Sequence, residues 1–252
     1  MFRRFVTFAS LYLCGVLLLL AVKAWKTYPD YVIPGPTLLS QTFSASAWPY
    51  CSATVETVVI ALVGHILSTW LAFLVGTCVA LLPRLGALLR QVAYTIQSYP
   101  LIATAPIFFI LLGNGMVTRL VITASICYFP MLLMFIGSLS TPVMHVEHFY
   151  RSCWRLTSRR LISIRLLENM QSVVTTVSGA FTLAVVGAVL AEFLSVNSGI
   201  GYAIRAALYR NRLDSILIAL LFLGMANCLV LAPLDHFGRW IVSRTTGSPR
   251  ST

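Results

Sequence analysis

Apolar residues gather along this chain into blocks that show no polar face when wound as a helix, and short polar segments separate them. Residues 11–22 and 183–190 are apolar at every position that a helix would present, whereas the strands of a membrane barrel alternate in short segments. The pattern predicts six helices, over residues 5–24, 57–82, 88–112, 117–139, 173–194 and 215–234. Each is about twenty residues, the length that crosses a ~30 Å hydrocarbon core. The chain therefore reads as all-α and polytopic, one transmembrane domain over residues 1–252 with about six spans. Residues 140–171 form a polar loop within it and 243–252 a short tail. Between the first two predicted spans, residues 28–49 hold Pro29, Pro34, Pro36 and Pro49, a composition that predicts an extended surface segment. The third span contains Pro100 and Pro106 and is expected to bend or break, as helices that line a pathway do and as simple packing kinks also do.

Composition agrees with this pattern. Hydrophobic residues make up 58% of the chain and charged residues 10%, with a mean hydropathy of +0.87. The net charge of +11 suggests nucleic acid at first sight, but the basic residues lie in short segments beside apolar blocks, where charge sets membrane orientation. Nucleic-acid binding is set aside on that ground. If both termini are cytoplasmic, the inner side collects Arg3, Arg4, Arg84, Arg90, Arg151, Arg155, Arg159, Arg160, Arg165, Arg239, Arg244 and Arg250, as the positive-inside rule requires. The first apolar block follows Met-Phe-Arg-Arg-Phe like a signal peptide. Lys23, Ala24, Trp25 and Lys26 after it offer no small-x-small cleavage site, so it is read as a retained span.

No phosphate-cradling GxxxxGK[ST] occurs, and the two lysines, Lys23 and Lys26, follow no glycine-rich loop, so the chain is not its own P-loop ATPase. His145, Glu147 and His148 lack the i, i+4 histidine spacing of a helical zinc site and read as a solvated polar turn. Cys14, Cys78, Cys127 and Cys228 sit inside apolar blocks as small hydrophobes, and no CxxC pair exists. No catalytic constellation is present.

Two features carry functional expectation. Arg151, Arg155 and Arg159 recur every fourth residue, and Cys153, Trp154 and Leu156 lie among them, which predicts a short amphipathic helix with the arginines on one face. Such a helix lies on anionic lipid headgroups or docks into a groove of another protein. Glu192, near the end of the fifth span, costs ~2 to 3 kcal/mol if it faces hydrocarbon and should face protein or water instead. The expectation places it near an outer gate, hydrogen-bonded to the Gly199-Ile200-Gly201 turn, with Arg119 and Glu56 as candidate charged neighbours. The alternative is a carboxylate resting at the interface.

Several motifs then occur in a familiar order. Val32-Ile33-Pro34-Gly35-Pro36 follows the first span, Thr57 opens the second, and SYPLIATAPIFFILLGNG (residues 98–115) forms a proline-punctuated third span with a Gly-x-Gly turn. AEFLSVNSGIGYAI (residues 191–204) is an Ala-Glu, polar, Gly-apolar-Gly-Tyr signature. Together they resemble the permeases of bacterial ABC importers, specifically the branch for nitrate, sulfonates, taurine and related solutes. The resemblance implies a type I importer fold in the bacterial inner membrane, with two permease copies enclosing a path. An extracytoplasmic binding protein delivers the solute, and a separate ABC ATPase supplies ATP and Mg, so this chain needs no cofactor of its own and is no enzyme. In that family an EAA motif before the fifth span docks into the ATPase. Here Arg151-Ser152-Cys153 falls on its Glu-Ala-Ala stretch and Leu156-Thr157-Ser158 on its Leu-Gly-Ala, so residues 151–159, including Trp154, Arg155 and Arg159, become the ATPase-coupling candidates. Thr157 stands where the family has glycine, and Leu167-Glu168 takes roughly the place of its Leu-Pro. Pro100, Pro106, Glu192, Gly199 and Gly201 become candidates for gate or pathway. An ATP-independent secondary transporter or channel, or a membrane scaffold, is the competing reading.

Overall fold

The computed structural model of the chain describes residues 2–26, 29–30, 32–97, 101–153, 157–195 and 197–245. Every regular element among them is a helix: α1 (Phe2–Lys26), α2 (Pro36–Leu81), α3 (Pro83–Gln97), α4 (Leu101–Leu112), α5 (Met116–Ser140), α6 (Met144–Ser152), α7 (Ser158–Glu168), α8 (Met170–Ser195), α9 (Gly199–Tyr209) and α10 (Leu213–Thr245). Five of these, α1, α2, α5, α8 and α10, are long and apolar enough to cross a membrane, and Ile102–Leu112 is a shorter apolar helix among the described residues. The third expected span is thus divided. Its first part, α3, exposes Arg90 and Gln91, and the apolar part is α4, 12 residues with Thr104 among them.

The second helix departs most from expectation. Residues 36–49 are helical instead of extended, and α2 runs for 46 residues, about 69 Å at the helical rise and more than twice a ~30 Å hydrocarbon core. Pro36 does not break this helix because it occupies the first turn after Gly35, where its missing N–H has no intrahelical partner to lose. Pro49 lies inside the helix and leaves the Ala45 carbonyl without its i+4 donor. Tertiary contacts hold the stretch: Thr42 donates to Asp214 at 2.7 Å, and Phe43 stacks on Phe222 with centroids 5.9 Å apart.

The core lies where α2, α5 and α8 meet, around Cys127, Met131, Leu139, Phe181 and Ala184, all fully buried. Between helices inside a bilayer no water is released, so close packing and interhelical hydrogen bonds must supply the attraction, and small residues allow it. A Cβ on Gly64 would lie 2.7 Å from the Thr123 methyl, and one on Gly187 would lie 3.0 Å from the Thr123 Cα. Ser68 Oγ sits 2.7 Å from the Gly64 carbonyl and 2.8 Å from the Ala124 carbonyl across the seam. Phe73 meets Phe135 edge to face at 5.5 Å.

The two ends of the bundle follow from the same contacts. Helix α1 runs antiparallel to α10, with Tyr12 donating to the Leu217 carbonyl at 2.9 Å, Phe8 packed on Gly224 and Arg4 paired with Asp235. Gly238 of α10 packs against Val174 near the start of α8. The start of α1, the last turns of α10 and the α6–α7 segment therefore share one end, called here the loop end. Helix α9, which the sequence pattern did not predict, caps the opposite end.

Candidate functional site

At the end opposite the loops, four elements converge on one buried carboxylate. The last turns of α8 present Glu192, fully buried at 0% exposure. One of its oxygens meets Arg119 from the first turn of α5. The other accepts from Thr57 Oγ1 of α2 at 2.7 Å and from the Gly201 N–H of α9 at 3.0 Å. Thr57 in turn accepts from the Ile200 N–H at 3.0 Å. Arg119 also reaches Glu56 at 2.7 Å, and Ser198 closes the ring by donating to the same Glu56 oxygen at 2.7 Å.

Backbone geometry at the start of α9 makes this possible. Gly199 has φ +86°, a region L-residues avoid, and any Cβ there would overlap the Glu192 carboxylate. A Cβ on Gly201 would strike the Val189 carbonyl and lie 2.8 Å from Glu192 Cβ. The expected hydrogen bond from Glu192 to the glycine turn is present, and the candidate neighbours Arg119 and Glu56 are its partners. One guanidinium faces two carboxyl groups, so Arg119 has partners on both sides, and Glu56, with its side chain 41% exposed, opens the cluster to solvent. The arrangement holds no nucleophile beside a base; it ties α9 to α2, α5 and α8.

Pro106 lies away from this cluster, exposed on α4 next to Ala105, which packs with Ile122 and Ala191. Pro100 lies outside the described residues. Sequence reading also missed a second polar knot: Asp214, in the first turn of α10, accepts from Thr42 and from Arg212, each at 2.7 Å. Its legible signal was an acidic residue at a helix start, where the helix dipole favours it.

At the loop end the expected single amphipathic helix is two helices. Helix α6 ends at Ser152 and α7 begins at Ser158, so Arg151 and Arg159 do not share a helical face; Trp154, Arg155 and Leu156 lie outside the described residues. The physical cause is at Thr157, whose extended backbone and side chain form the N-cap of α7, accepting from the Arg160 N–H at 3.4 Å. Arg151, Ser152, Cys153, Thr157, Ser158 and Arg159 are all exposed, together with Met144 and Phe149 of α6. Arg165 differs from Arg151 and Arg159. It turns inward to Glu147, 2.7 Å away, so the His-Val-Glu-His segment is no wholly solvated turn. The Arg165 guanidinium holds the Glu147 carboxyl below the usual carboxylate range, so the carboxylate is ionised near neutral pH.

Comparison with known proteins fits this arrangement. The sequence model of the family described as binding-protein-dependent transport system inner membrane component matches residues 68–247, most of the chain. The protein belongs to this family. The permease is 26% identical over 245 residues to a probable ABC transporter permease protein of Haemophilus influenzae, covering 93% of this chain and 95% of that one. It is 25% identical over 197 residues to the formylaminopyrimidine transport permease protein ThiX of Halalkalibacterium halodurans, 77% and 78% of the two chains. It is 28% identical over 236 residues to the riboflavin transport system permease protein RibX of Chloroflexus aurantiacus, 87% and 85%. The chain is the membrane permease subunit of an ABC importer, a transport subunit and not an enzyme, and the family implies an ATPase and a substrate-binding protein as its partners.

Proposed function

We propose that the permease belongs to the nitrate, sulfonate and taurine branch of importers and that its cargo is a small nitrogen heteroaromatic solute of the pyrimidine type. The observation that carries the choice of cargo is Arg119. A path for a free anion is favoured by an uncompensated cation, yet this buried guanidinium is matched by both Glu56 and Glu192. The names of two relatives, which specify formylaminopyrimidine and riboflavin transport, support the same reading. The cognate binding protein is expected to bind formylaminopyrimidine at least a hundredfold more tightly than nitrate or taurine in isothermal titration calorimetry. The reverse order sinks the assignment.

In this reading the loop end is cytoplasmic, with both termini on that side, and exposed residues of α6 and α7 dock into the ATPase. Two permease copies enclose the path, and the exposed α4 stripe of Ile102, Pro106 and Ile110 suits a helix facing a second copy. Arg244, packed over Trp240 at 5.4 Å, suits contact with anionic lipid headgroups. The binding protein delivers solute at the α9 end, where the Glu192 cluster serves as the gate. Replacing Trp154 and Leu156 together with alanine is expected to lower ATP-driven uptake by about a hundredfold with normal membrane insertion, because apolar anchors dominate docking interfaces. Unchanged uptake in proteoliposomes would remove the docking assignment.

A further inference from the structure

Three helix termini meet around one guanidinium at the loop end. Arg165, in the last turn of α7, places Nε 2.7 Å and Nη2 3.0 Å from the two oxygens of Glu147, in the first turn of α6. Its Nη1 donates to the Leu139 carbonyl at the end of α5, 2.7 Å away. The Val143 N–H donates to Glu147 at 3.0 Å, and Asn169, between α7 and α8, donates to the Ser138 carbonyl at 3.2 Å. Glu147 is 5% and Arg165 9% exposed, so neither is offered to a partner. A planar fork can satisfy a carboxylate and a carbonyl in fixed directions at once, which a lysine ammonium cannot do with the same geometry.

We propose that the Glu147–Arg165 fork is the positioning element that makes α6 and α7 one block with the end of α5, so that movement of an ATPase docked on that block passes along α5 and α8 to the Arg119–Glu192 cluster. The proposal rests on the reading of α6 and α7 as the docking face. Without the fork, α6 follows α5 through residues 141–143, whose first two are exposed, and can swing away from α7, which stays packed on the core through Ile162 and Leu166. With it, the docking helices are tied to α5 and, through Asn169, to the start of α8. The seam beyond does not slide: Gly187 of α8 lies against the Thr123 backbone of α5 so closely that a Cβ would sit 3.0 Å from its Cα. The same two helices end in Arg119 and Glu192. Each rod therefore carries one polar anchor at the loop end and one at the gate.

The test uses the full-length permease assembled with its ATPase and binding protein in proteoliposomes, with Glu147→Gln and Arg165→Lys as variants. Both are expected to retain the ATPase at the wild-type ratio with unchanged basal hydrolysis. Uptake is expected to fall at least tenfold, and the ATP hydrolysed per solute imported to rise in proportion. Uptake within twofold of wild type overturns the proposal, as does uptake that falls only in step with the amount of ATPase retained, because that pattern marks a merely structural pair. Failure of the docking reading is separable on a chain that keeps Glu147 and Arg165 and has the five cysteines other than Cys153 replaced by serine. Thiol crosslinking from the exposed Cys153 to the ATPase would then yield no product, whereas failure of the fork alone leaves that crosslink intact.

Discussion

Glu192→Ala is expected to abolish uptake and to destabilise the permease by roughly 3 kcal/mol, the low end of the cost of breaking a buried ion pair, because Arg119 keeps Glu56 as a partner. The estimate applies because both side chains are withdrawn from solvent, at 0% exposure for Glu192 and 6% for Arg119. Glu192→Gln separates gate from scaffold. An amide keeps an acceptor for Thr57 and the Gly201 N–H but gives up the charge opposite Arg119, so the protein should accumulate normally while uptake drops at least tenfold. Arg119→Met combined with Glu192→Leu should recover part of the stability lost by either change alone, since apolar replacement of a buried pair is often neutral or better, while the Gly201 N–H still lacks its acceptor. It should not recover transport. Thermal unfolding in detergent and solute uptake in proteoliposomes read the two effects apart, and a Gln variant with wild-type uptake would reduce Glu192 to a packing element.

Gly199→Ala is expected to be nearly as damaging, for a different reason. The backbone at φ +86° costs an L-residue about 1–2 kcal/mol by itself. The added methyl also meets the Glu192 carboxylate directly, and that carboxylate cannot retreat without releasing Thr57 and Gly201. We expect uptake to fall more than tenfold with visibly reduced accumulation. Gly115→Ala is the matched control: its φ is −140° and a Cβ there meets nothing within 4 Å, so transport should stay within twofold of wild type. Equal losses in both variants would show that α-carbon branching in general, and not the gate turn, is at fault.

Much of this arrangement was legible because membrane spans announce themselves by length and apolarity, and because a carboxylate at the end of such a span has to find a partner. Glu192, the glycine turn and the broken third span were readable on those grounds. Three features were not. Pro36 looks like a breaker in sequence but sits at the one helical position where proline costs nothing, and only the packing of Thr42 and Phe43 on α10 shows that the helix continues. Helix α9 is a short amphipathic piece hidden behind the signature that overlaps it. The loop arginines recur at helical spacing, yet the pattern cannot reveal that Thr157 starts a new helix or that Arg165 has a buried carboxylate waiting on another element. Periodicity reports which residues share a face of an ideal helix; it is blind to where the helix stops and to which charge is neutralised from elsewhere.

The length of α2 has a mechanical consequence. One uninterrupted helix carries Thr42 on its projecting arm, Glu56 and Thr57 at the gate, and Gly64 and Ser68 in the packed seam. A load applied to the arm thus arrives at the gate with no linker to absorb it, as with a tiller fixed to its rudder post.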